Sequence, residues 1–116
     1  KTALISDALA YAASDGDVTA EPDVILDDGV CMVADHSSLA GSIATMDTLI
    51  STCVKKANIP MADACRMASE TPARIMGVLD RKGTIEDGKD ADIMMFDNDI
   101  NLTYVMQMGK EITNNL

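Results

Sequence analysis

Residues Ala3-Leu4-Ile5 are apolar on both sides of the backbone and are closed at once by Ser6 and Asp7. A strand faces two ways with a period of two, so a run without polar alternation belongs to a parallel strand covered on both faces. Such a strand requires neighbours on both edges and helices above and below. Only two residues precede this run, so the sequence opens on an element whose partners it does not itself supply.

Later patterns add elements of two kinds. Ile43, Met46, Leu49, Ile50, Cys53, Val54 and Ala57 recur at spacings of 3, 3, 1, 3, 1 and 3, the stripe of an amphipathic helix. Asp47 near its start and Lys55-Lys56 near its end suit the helix dipole. Pro60 opens a second helix with Met61, Ala64, Cys65, Met67 and Ala68 on its apolar side. Thr71 is expected to cap a third, running through Pro72 to Met76 and ended by Gly77. Upstream, Tyr11 to Pro22 reads as a loop with a turn at Ser14-Asp15-Gly16-Asp17. Val24-Ile25-Leu26, Asp27-Asp28-Gly29 and Val30-Cys31-Met32-Val33 predict a hairpin. From Asp80 the pattern becomes short strands, at Thr84-Ile85, Ile93 to Phe96 and Leu102 to Met108. The turns between them fall at Glu86-Asp87-Gly88-Lys89, Asn98-Asp99 and Met108-Gly109-Lys110.

Charge narrows the partners. Nine Lys+Arg against nineteen Asp+Glu leave a net charge of −10, which repels phosphate backbones and anionic lipid, so neither nucleic acid nor membrane is expected as a partner. No apolar stretch approaches the roughly 18–20 residues of a membrane span. Three cysteines, at 31, 53 and 65, are odd in number and lack CxxC spacing; they read as reduced core residues in a cytoplasmic protein. His36 is the single histidine, too few for a histidine-rich metal site, and it reads as a surface loop residue. Asp15-Gly16-Asp17, Asp27-Asp28 and Asp97-Asn98-Asp99 lack the alternating ligands of a calcium loop and read as solvated turns.

Arg81-Lys82-Gly83-Thr84-Ile85-Glu86-Asp87-Gly88-Lys89-Asp90-Ala91-Asp92, followed by an apolar strand, resembles the segment that closes the chain in the amidohydrolase superfamily. Gly83 and Gly88 permit tight turns there, and Asp90 and Asp92 can accept from local backbone amides. Ser38-Leu39-Ala40-Gly41-Ser42 with Thr45-Met46-Asp47, Ala68-Ser69 with Thr71-Pro72-Ala73-Arg74 and Gly77, and Ile5-Ser6-Asp7-Ala8 resemble, in the same order, motifs of the N-acetylglucosamine-6-phosphate deacetylases. The resemblance covers essentially the whole chain.

It implies an α/β fragment. Residues 1–80 would be the last βα unit of a (β/α)8 barrel with an inserted hairpin, and residues 81–116 the C-terminal strands of a small β-sandwich, with the earlier barrel strands upstream of Lys1. The unpartnered opening strand would then be the eighth of the barrel, and Asp7 would stand at its C-terminal end, where such barrels carry their catalytic groups. The resemblance implies that Asp7 is the general base, taking a proton from metal-bound water and returning it to the amine leaving group. It implies backbone contacts from Leu39, Ala40 and Gly41 to a phosphorylated amino sugar. Gly41 suits close backbone approach, and a helix beginning just after it would direct free amides outward. Asp35-His36-Ser37 departs from the family pattern. The divalent metal ion, zinc or similar, would take its ligands from elsewhere, none lying on this segment, and the enzyme would be a homo-oligomer. Two other readings are a different amidohydrolase, which the Ser38–Ser42 and Thr45–Asp47 motifs argue against, and a non-catalytic fragment that self-associates.

Overall fold

The protein is described here by a computed structural model covering residues 2–9, 12, 24–27 and 30–114. In chain order the elements are β1 (Val24–Asp27), β2 (Val30–Val33), α1 (Met46–Lys55), α2 (Met61–Ala68), α3 (Glu70–Ile75), β3 (Ile93–Phe96), β4 (Leu102–Gln107) and β5 (Lys110–Asn114). They fall into two compact units, Ile5–Leu49 and a second made of Lys1–Leu4 with Ile50–Leu116.

In the unit Ile5–Leu49, β1 and β2 pair antiparallel with Val24 opposite Val33 and Asp27 opposite Val30. This is the expected hairpin, closed by two residues. Asp28 and Gly29 themselves lie outside the described residues, as do Tyr11, the turn Ser14–Asp17 and the rest of the predicted loop apart from Ala12. Ala3-Leu4-Ile5 joins no ladder among the described residues, and the pairing appears further on as a single parallel bridge between Ala8 and Ser42. A parallel ladder needs successive partners on a neighbouring strand, and here the partner segment offers one residue before the chain turns toward α1.

The larger unit is held by Ile50, Ala64 and Ile100, all at most 5% exposed, with Leu4, Cys53, Met61 and Phe96 against them. Ile50 comes from the predicted stripe of α1 and Ala64 from that of α2, so the helical periodicity translates directly into burial. Asp47 and Lys55 occupy the first and last turns of α1 as the dipole favours. Leu4 is joined to this unit by its N–H, which donates to Met67 O at 2.8 Å. Cys31 is buried, Cys53 and Cys65 are half-buried, and all three are free thiols.

Two expectations fail in this unit. Thr71 does not cap α3, which begins one residue earlier at Glu70 with Ser69 at the N-cap. Ser69 makes no capping bond either, because its hydroxyl donates back to Cys65 O at 2.7 Å, the back-bonding available to a serine at the end of a preceding helix. Thr84-Ile85 is not a strand. The Lys89 ammonium donates to Leu79 O at 2.7 Å and to Thr84 Oγ1, tying this stretch into a loop. At Gly83, φ is +94°, and a Cβ there would lie 2.6 Å from Ala73 Cβ and 3.1 Å from Ser69 O. Both strain and overlap oppose any side chain, so Gly83→Ala should cost about 1–3 kcal/mol. An unchanged urea midpoint for that variant would remove this account of the α3–loop packing.

The remaining strands form one antiparallel sheet in the order β3-β4-β5. Met108 and Gly109 connect β4 to β5 with φ of +50° and +75°, the backbone signature of a type I′ hairpin turn. A methionine accepts that conformation because its N–H is held by Asp92 Oδ1 at 2.7 Å and the next N–H by Ala91 O at 3.0 Å. The expectation that Asp90 and Asp92 serve local amides is thereby modified. Asp92 accepts from an amide sixteen residues away, while Asp90 pairs with Arg81 at 2.8 Å and Lys82 at 3.2 Å, and Asp92 also pairs with Lys82. At the β3–β4 turn, Asp97 Oδ1 accepts from Asp99 N–H at 2.8 Å and Asn101 N–H at 2.9 Å, leaving buried Ile100 at φ +66°.

These contacts set the response to acid. The hydrogen bond from Arg81 holds the Asp90 carboxyl below its ordinary range, that from Lys82 does the same for Asp92, and those from Asn101 for Asp97. Carboxylates lowered on folding contribute stability above the unfolded value of about 3.9 and lose it as pH falls through the folded values. The thermal midpoint should therefore hold from pH 8 to 5 and fall below about pH 4, with a smaller acid-induced drop in Asp92→Asn and Asp97→Asn. A midpoint already falling between pH 8 and 5 would show that other groups dominate.

Candidate active site

Asp7 and Gly41, thirty-four positions apart, meet within the unit Ile5–Leu49. The Ser42 N–H donates to Asp7 O at 3.0 Å, and the Leu9 N–H donates to Ser42 O at 2.9 Å. This reciprocal pair fixes the backbone on either side of Ala8. Asp7 itself has φ +47°, a left-handed conformation open to aspartate but uncommon for residues with a side chain, which the surrounding bonds must hold. Its side chain is exposed, and its carboxylate has no hydrogen bond or ion pair among the described residues. Among the described residues the outcome is an unpartnered acid on a fixed backbone.

Leu39, Ala40 and Gly41 are carried to the same place by the hairpin. Val33 N–H donates to Ser38 O at 3.0 Å and Ala40 N–H to Cys31 O at 2.9 Å, so Met32 and Leu39 are paired between two hydrogen bonds. In that geometry the N–H and C=O of Leu39 point away from β2 and are not spent on it. The Ala40 amide, by contrast, is committed to Cys31. Gly41 has φ +117°, and a Cβ on it would sit 3.0 Å from Leu9 Cγ and 3.3 Å from Asp7 O. Glycine is required there by both conformation and space.

The helix after Gly41 begins later than the sequence suggests, at Met46. Ser42 is committed to the bonds with Asp7 and Leu9, and its Oγ accepts the Ala44 N–H at 2.9 Å, which postpones helical winding past residue 45. Between these elements lies an open concavity of about 450 Å³ lined by Val30, Cys31, Gly41, Ser42, Ile43, Ala44 and Thr48. That size lies within the range of small-molecule sites. Gly41 and Ser42 belong both to its wall and to the backbone clamp on Asp7. Neither Cys31 as a wall residue nor Ser42 as the clamp is readable in advance. The one local signal was the hairpin, whose alternation turns Cys31 to the inner face.

His36 lies in the exposed turn that follows β2, at φ +58°, with its N–H donating to Val33 O at 2.8 Å. The neighbouring Asp35 accepts from Ser37 N–H at 2.9 Å, and hydrogen bonding from the Ser37 hydroxyl, with this amide second, keeps its carboxyl below the ordinary range. Among the described residues no three His, Cys, Asp or Glu side chains come together in a way that could hold a metal ion. The divalent metal that the sequence resemblance implies does not fit this set of side chains. No helix among them is long and apolar enough to cross a membrane.

The sequence profile of the Amidohydrolase family matches residues 9–113. An N-acetylglucosamine-6-phosphate deacetylase of Bos taurus is 33% identical over 87 residues, a match covering 73% of this chain and 21% of the bovine protein. The crystal structure of N-acetylglucosamine-6-phosphate deacetylase from Pasteurella multocida superposes with a TM-score of 0.86 at 31% identity, covering 97% of this chain and 30% of that one. A mutant of the corresponding Mycobacterium smegmatis enzyme, in complex with N-acetyl-D-glucosamine-6-phosphate, superposes with a TM-score of 0.80 at 31% identity and the same coverage. The chain thus spans about a fifth to a third of the length of these three proteins.

Proposed function

This chain belongs to the amidohydrolase family, and we propose that it forms the C-terminal portion of a deacetylase that hydrolyses N-acetylglucosamine 6-phosphate to glucosamine 6-phosphate and acetate. The observation that carries this reading is the conjunction of Asp7, its carboxylate unpartnered among the described residues and its backbone clamped, with the Leu39–Gly41 loop. Residues 1–80 complete the (β/α)8 barrel as its last βα unit with the inserted hairpin, and residues 81–116 supply strands β3, β4 and β5 to the small β-sandwich. The likeness to the Pasteurella and Mycobacterium enzymes over nearly the whole of this chain supports the reading of it as part of a deacetylase.

Asp7 acts as the general base and then the general acid. Its carboxylate accepts one proton from the attacking water as the new C–O bond forms at the acetamide carbonyl. It returns that proton to the nitrogen as the C–N bond breaks, releasing acetate and the free amine. An amine is a poor leaving group unless protonated, so the second transfer matters as much as the first. Leu39 and Gly41 offer backbone groups to the sugar, and Ala40 contributes its carbonyl, its amide being held by Cys31. Among the described residues no side chains form a metal site, and the metal that such hydrolases use would take its ligands from the rest of the enzyme. The substrate phosphate likewise finds its cationic partners outside this acidic segment. A cytoplasmic, homo-oligomeric enzyme accords with the free thiols and the exposed strand edges.

The test is acetate release from N-acetylglucosamine 6-phosphate by the complete polypeptide in which this segment occurs. Turnover of that substrate well above turnover of N-acetylglucosamine lacking the phosphate is the expected result. No release, or equal rates on the two sugars, would refute the assignment.

A further inference from the structure

Asp7 owes its conformation to more than the two backbone bonds. The Leu9 side chain lies directly over the α-carbon of Gly41. A Cβ on Gly41 would meet Leu9 Cγ at 3.0 Å and Leu9 Cδ2 at 3.1 Å, and Asp7 O lies 3.3 Å from the same point. Leu9 is half-buried and its N–H is the donor to Ser42 O at 2.9 Å. One residue therefore contributes both a hydrogen bond and a packing contact to the loop that holds Asp7.

We propose that Leu9 is a positioning residue for Asp7: by pressing its isobutyl group onto Gly41 it keeps the Gly41–Ser42 segment in register, so that the Ser42 N–H holds Asp7 O and the carboxylate projects in one direction. The inference rests on the reading of Asp7 as the general base. A left-handed aspartate persists only where its surroundings over-determine it. Among the described residues of this unit that constraint comes from the two hydrogen bonds and the Leu9–Gly41 contact. Removing the contact lets Gly41, the residue with the least conformational resistance, relax and carry Ser42 with it. A displacement of about 1 Å in a reacting group can cost about 100-fold in rate, whereas a sugar held by other parts of the loop would bind much as before.

The experiment uses the complete polypeptide, with Leu9→Ala and the volume-conserving Leu9→Met. Leu9→Ala should lower kcat by about 10- to 100-fold with KM within about 2-fold, and it should speed hydrogen exchange in the peptide carrying the Ser42 amide. Leu9→Met should restore kcat to within about 3-fold of the parent, because the thioether chain refills the same space. Unchanged kcat in Leu9→Ala, or a raised KM at unchanged kcat, would overturn the proposal. Should Leu9→Ala not fold, Leu9→Met with parental kcat but accelerated Ser42 exchange would equally count against it. Retained turnover in Asp7→Asn would defeat the underlying reading instead, and the exchange measurement would still decide whether Leu9 holds this backbone.

Discussion

Replacing Asp7 with Asn in the complete enzyme should leave folding intact and reduce deacetylation by about 100- to 10,000-fold, the range general acid–base catalysis typically contributes. The carboxylate is exposed and makes no bond among the described residues, so its amide analogue removes no packing and leaves no buried partner stranded. The backbone bond from Ser42 N–H to Asp7 O does not depend on the side chain. Asparagine also tolerates the left-handed region that Asp7 occupies at φ +47°. On the proposed role of Asp7, what is lost is the ability to take a proton from water and deliver it to nitrogen. The loss should appear in kcat rather than KM, with an unaltered melting temperature. Near-parental turnover in Asp7→Asn would sink the assignment, while lost activity with a lowered melting temperature would point to a structural role.

The 116-residue chain alone should hydrolyse no N-acetylglucosamine 6-phosphate, with or without added divalent metal, and should self-associate. For the first part, the described residues bring together no three metal-ligating side chains, and the sequence contains one histidine. For the second, the large apolar side chains of Ile5, Ile75, Met76 and Ile85 are 70–88% exposed. Strands β3 and β5 are the two edges of an open sheet. Exposed edges and apolar patches are the surfaces through which chains associate. Light scattering across a dilution series should show mass falling with concentration toward the monomer. A monodisperse monomer that turns over substrate would defeat both halves and redirect attention to a site built within this chain.

The periodic elements were legible before any coordinates. The stripe from Ile43 to Ala57 required a helix with Ile50 inward, because only one face of a 3.6-residue period can reach a core. The hairpin around Asp28-Gly29 and the turn at Met108-Gly109 were legible for a similar local reason: few residues accept positive φ, and turns of two residues demand it. Asp7 and Gly41 could each be singled out by motif. Their meeting could not, since nothing local to either encodes a bond from Ser42 N–H to Asp7 O across more than thirty residues. The same limit explains the misplaced details. Thr71 has the chemistry of a cap but stands two positions past the N-cap residue Ser69, whose hydroxyl bonds back to Cys65 O, and Thr84-Ile85 has the composition of a strand but is held by Lys89 and by the fit of Gly83 against Ala73. Sequence alone determined which segments carry an apolar face and which can turn, because those are properties of neighbouring residues. Tertiary structure decided that Leu9 covers Gly41 and that Ser42 clamps Asp7, because contact between distant segments depends on how whole elements pack.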